Sequence, residues 1–100
     1  MGIIVKKHIT HDGQIIMAMC DEDILGNSFE EGEAVLDLTS EFYKGEAISE
    51  EERNEMADEA HLINAAGKES VAWVIKRGLA DEENIIRIHG VPNVQILIEK

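Results

Sequence analysis

The chain has 100 residues, 21 of them acidic and 9 basic, for a formal net charge of -12. A surface of that sign repels nucleic-acid phosphate and anionic lipid across a Debye length, which disfavours direct binding to either. The 44% hydrophobic content fits a single domain, 1–100, with one core. The longest apolar runs, Ile15 to Cys20 and Val71 to Ile75, are too short to cross a bilayer.

Aromatic residues make up only 4%, so the core is to be built from Ile, Val, Leu, Ala and Met. The first residues lack the basic, apolar and small-residue order of a signal peptide. Cys20 is the single cysteine, which excludes an intramolecular disulfide and fits a reducing, cytoplasmic setting.

In chain order, Ile3 to Ile9 starts β-branched and then alternates with Lys and His, the pattern of a strand. Asp12-Gly13 is a strong hairpin signal, and Gln14 to Cys20 reads as the returning strand. Glu33 to Leu38 alternates apolar and acidic residues and predicts a third strand. Ser49-Glu50-Glu51-Glu52 is a capping box that opens a first helix, with Met56, Ala60 and Ile63 at helical spacing toward the core. Lys68 to Arg77 predicts a second helix, closed by Lys76-Arg77-Gly78. Its stretch from Val71 to Ile75 is apolar all round, which raises a homodimer through that helix. Asn84 to Ile88 and Val94 to Ile98 predict two last strands around a 89–93 loop. This layout defines an α+β fold. A mostly antiparallel sheet would comprise the N-terminal hairpin, the third strand and the C-terminal hairpin, with two consecutive helices packed on it.

Several of these segments together resemble a known family. Leu25-Gly26, Phe29-Glu30-Glu31-Gly32, Glu41-Phe42-Tyr43-Lys44-Gly45 and Asn64-Ala65-Ala66-Gly67 come in its order. The run from Gly78 to Ile88, continuing into His89-Gly90-Val91-Pro92, is the most specific part. The chain is similar to the small archaeal proteins catalogued as domain of unknown function 424. The resemblance implies an archaeal, cytoplasmic protein with a loose association to translation, and it carries no catalytic residues over.

Two segments stand out as candidate ligand sites. Asn64, Gly67, Lys68 and Ser70 lie at the start of the second helix, where free amides suit an anion. This is not a P-loop: Leu62 stands where its first glycine belongs, and a helix is expected before it. A helix–helix corner closed by Gly67 explains the same residues. Arg87, His89 and Gly90 form the second segment, with Pro92 shaping the loop. Arg87 could grip a phosphate or carboxylate there, or pair with one of many acids.

No spacing of His8, His11 and Cys20 with nearby Asp marks a metal site, because the hairpin places Cys20 beside Ile3 or Ile4. The acidic runs 21–23, 50–52 and 81–83 read as solvated faces and helix starts. Trp73 reads as core first and as a partner anchor second.

No catalytic motif, metal set or cofactor signature emerges. The expectation is a non-enzymatic binding or adaptor protein whose acidic surface meets a basic partner of the translation machinery. The alternative is a domain that binds or acts on a phosphate- or carboxylate-bearing ligand at the 64–70 and 87–92 segments.

Overall fold

The computed structural model describes residues 2–99. Strand β1 (Ile3–Ile9) and strand β2 (Ile15–Asp21) form the expected hairpin, with Ile3 opposite Asp21 and Ile9 opposite Ile15. Strands β3 (Ser28–Glu31) and β4 (Ala34–Asp37) pair only with each other, as a second small sheet. A 3-10 turn at Glu41–Tyr43 leads to β5 (Glu46–Ala47). Helix α1 (Glu50–Glu59), strand β6 (Leu62–Ala66) and helix α2 (Lys68–Lys76) follow. A 3-10 turn at Glu82–Asn84 precedes β7 (Ile86–Ile88) and β8 (Val91–Leu97).

The main sheet has six strands in the order β5-β1-β2-β6-β8-β7. Four of its neighbouring pairs are antiparallel, and β2 with β6 is parallel. The α+β class, the two helices and the mostly antiparallel sheet therefore hold. Three details of the expectation do not. The helices are not consecutive, because β6 lies between them. The sheet is mixed. The third strand, β4, belongs to a separate hairpin, whose partner β3 carries only Phe29 as an apolar signal.

Burial on both faces explains why β6 passed for the end of a helix. Ile63, Asn64, Ala65 and Ala66 are all buried, so the strand reads as a continuous run without alternation. Ile63, placed on the first helix by its spacing, points from β6 into the core shared with α2. Helix α1 stops at Glu59, with Ala60 as its extended cap.

One face of the sheet carries the helices. Val5, Met17, Met19, Ile63, Ala65, Val94 and Ile96 pack there against Ala57 of α1 and Val71, Trp73 and Val74 of α2. Trp73 is held between the guanidinium groups of Arg53 and Arg77, at 5.5 and 5.3 Å from its ring centroid. It is buried rather than a free anchor, and Val71 and Val74 are buried beside it, Ile75 is half-buried and Ala72 is exposed. The opposite face is half covered. There Cys20, Ala66 and Ile88 meet Leu36 and Leu38, with Phe29, Ile24 and Tyr43 around them.

The C-terminal hairpin turns more tightly than expected. His89 and Gly90 alone make the turn, with φ of 52° and 80°, and Ile88 faces Val91 across it. Strand β8 thus includes Pro92. Pro92 stands opposite Arg87, one pair beyond the turn, and is tolerated there because its missing N–H points away from β7.

Candidate functional site

The last residue of β2 organises the site. Asp21 is buried, and its Oδ2 accepts from the Glu69 amide at 2.9 Å. Its Oδ1 accepts from the Ser70 amide and the Ser70 hydroxyl, both at 2.8 Å. Helix α2 has no side-chain cap of its own, because its cap position is Gly67. A carboxylate 48 residues upstream therefore supplies the acceptor that the first helical amides need.

Gly67 is required for this contact. Its φ is 104°, and a Cβ there would lie 2.3 Å from the Asp21 carboxyl carbon. Its amide donates to the Pro92 carbonyl at 2.8 Å, which ties β8 to the start of α2.

These contacts frame a cleft of about 290 Å³ at the carboxyl ends of β2 and β6. Asp21, Asp23 and Ile24 form one wall, Gly67, Lys68 and Glu69 the second, and Gly90, Val91 and Pro92 the third. The two candidate segments therefore do meet. Gly67, Lys68 and Gly90 line the cleft, and Ser70 stands behind it through Asp21.

The other candidates lie elsewhere. Asn64 is buried on the sheet face away from the helices, between Ala18 and Gln95. Arg87 meets Glu82 at 3.9 Å, and the His89 amide donates to Glu31 at 2.7 Å. Lys68 is exposed and has no ion-pair or hydrogen-bond partner for its ammonium among the described residues.

The comparison with a P-loop needs correcting in one respect. A strand does precede the Gly67-Lys68 turn. What separates this turn from a phosphate cradle is that Asp21 already occupies the helix amides.

Asp21, Asp23 and Glu69 are the residues that sequence reasoning passed over as cleft residues. Asp21 ends an apolar strand, and an acid at that place was the one signal available. Beside it, Cys20 sits opposite Ile4 and is wholly buried. Burial, with the nearby Asp21 and Asp23 charges, pushes its thiol up to about 12. Such a thiol is protonated at neutral pH and is no nucleophile. Burial likewise raises the Tyr43 hydroxyl, with a smaller push from Cys20. Among the described residues no group of three or more His, Cys, Asp or Glu is arranged to hold a metal ion. Among the described residues no helix is long and apolar enough to cross a membrane.

The fold and cleft define a small α+β domain with helices on one side of a mixed sheet and a β-hairpin on half of the other. The chain belongs to the family described as protein of unknown function (DUF424), whose model matches residues 8–98. It is similar to an uncharacterized conserved protein from Methanopyrus kandleri, known from its crystal structure. The two are 31% identical with a TM-score of 0.79, over 100% of this chain and 96% of that one. No curated protein matches.

Proposed function

We propose that this protein is a non-enzymatic binding module that docks a basic protein by taking one of its Lys or Arg side chains into the α2 cleft. The observation that carries the reading is the Asp21 cap. The helix amides that would attract an anion are already bonded to a carboxylate. The charged residues left in the cleft wall are Asp23 and Glu69 against the single Lys68. At about 290 Å³ the cleft lies at the low end of the roughly 300–1,000 Å³ range of small-ligand sites, which suits one long side chain. Ile24, Val91 and Pro92 supply apolar walls for its stem. The net charge of -12 extends the complementarity beyond the cleft. It favours Lys- and Arg-rich partners such as those of the translation machinery.

The test is binding of a fluorescent Arg/Lys-rich peptide, read by anisotropy. Asp23→Asn with Glu69→Gln is expected to weaken binding by about tenfold or more. Glu33→Gln with Glu55→Gln, an equal change of charge elsewhere, is expected to change it little. Equal weakening by both pairs would mean that bulk charge, not the cleft, binds the peptide.

A second reading rests on the unpaired Lys68 ammonium beside Gly67 and Gly90, which suits a phosphate- or carboxylate-bearing ligand at the same cleft. Thermal stabilisation by inorganic phosphate that disappears in Lys68→Ala would favour it over the cationic reading.

A further inference from the structure

We infer that the free edge of β1 is a second docking surface, one that adds an acidic, extended segment of another protein as a short strand. The inference is independent of the α2 cleft and concerns the β5-β1 edge of the sheet.

Strand β1 pairs with β2 along its full length, but on its other side β5 covers only Ile4 and Val5. The chain enters β5 directly after Gly45. A Cβ at that position would lie 2.0 Å from the Val5 carbonyl oxygen, so the Val5 carbonyl faces the β5 side. Backbone groups alternate in direction along a strand, so those of Lys7 and Ile9 face the same side as those of Val5. Beyond Val5 no ladder partner stands there among the described residues. Unpaired amides and carbonyls in a row are a template for an added strand.

A cleft of about 430 Å³ adjoins this edge. Its apolar surface comes from Val5, Ile48 and Met56, and its charge from Lys6, Lys7 and Lys44 against Glu46. Three of the 9 basic residues of a chain of charge -12 thus line one cleft. Their present partners are weak competitors. Lys6 donates to the Glu41 carbonyl at 3.0 Å. Lys7 lies 3.9 Å from Glu59 and Lys44 3.3 Å from Glu41, both exposed pairs of the kind that contribute little. Ile9 extends the same strand with 66% of its surface exposed.

The lysines decide the occupant. A second copy of this chain pairing antiparallel through the same edge would bring like lysines together, and each copy carries -12. An extended segment alternating apolar and acidic residues satisfies both features. Its backbone completes the ladder opposite residues 7–9, its apolar side chains lie beside the exposed Ile9, and its carboxylates meet the lysines.

The experiment titrates the whole protein against a fluorescein-labelled hexapeptide alternating Val and Glu. Two further peptides accompany it: the same sequence N-methylated at alternate amides, and a Val/Lys analogue. Saturable binding of the Val/Glu peptide is expected, about tenfold or more weaker for the N-methylated form and absent for Val/Lys. Lys7→Gln with Lys44→Gln, whose melting curve checks the fold, is expected to weaken it similarly. No saturable binding of the Val/Glu peptide, or equal binding of the N-methylated form, would overturn the inference.

Discussion

Helices α1 and α2 begin in opposite ways. Ser49 and Glu52 cap α1 from within four consecutive residues: the Glu52 amide donates to the Ser49 hydroxyl at 3.1 Å, and the Ser49 amide to Glu52 Oε1 at 3.2 Å. Helix α2 has only Gly67 at its cap position and takes its acceptor from Asp21 of β2. The first arrangement is local and exposed, and it needs no contact outside its own four residues. The second exists only once β2 and β6 lie side by side. It makes the α2 start a product of tertiary structure, and it sets the chemistry of the cleft by filling the amides with an internal carboxylate.

The largest effect in this comparison is expected at Gly67. Gly67→Val combines a forbidden backbone conformation with a clash against Asp21, and is expected to destabilise the fold by about 4 kcal/mol or to prevent it. Denaturant unfolding measures it, and a loss below about 1 kcal/mol would mean that Asp21 does not pack against Gly67.

Asp21→Ala comes next, at about 2–3 kcal/mol, since it strands the buried Ser70 hydroxyl and two amides. Amide exchange should accelerate at Glu69 and Ser70 while α1 is unchanged. Faster exchange in both helices alike would erase the contrast between them. Ser49→Ala is the smaller counterpart, at about 1 kcal/mol, because water replaces an exposed cap.

An alkaline titration separates the helices without mutation. The Cys20 thiol rises from an ordinary 9.0 to about 12, so the fold favours its protonated form. That stability is fully present below pH 9 and is lost as the pH climbs through about 12. Because the thiolate would form beside Asp21, exchange at the start of α2 should rise over that window. The Cys20→Ser variant should show less of the change.

Local chemistry was legible in the chain. Asp12-Gly13 marked the first hairpin, Ser49-Glu50-Glu51-Glu52 marked the start of α1, and Lys76-Arg77-Gly78 marked the end of α2. Features made by long-range contact were not. β6 lost its alternation because both its faces are buried. β3 offered only Phe29, since one side of its hairpin faces solvent. Gly67, Lys68 and Gly90 were visible as punctuation and charge, and they do line one cleft. Asp21 was visible only as an acid at a strand end, because its partners lie 48 and 49 residues away.

The central claim is that the Asp21 carboxylate closes the α2 start to anions and leaves a cleft for a cation. The direct measurement is an NMR titration of the amides of Asp23, Gly67 to Ser70, Gly90 and Val91, with a blocked arginine and, separately, with inorganic phosphate. Saturable shifts with arginine, and none with phosphate at Glu69 and Ser70, are the predicted result. Saturable shifts of those two amides with phosphate, and none with arginine, would contradict it.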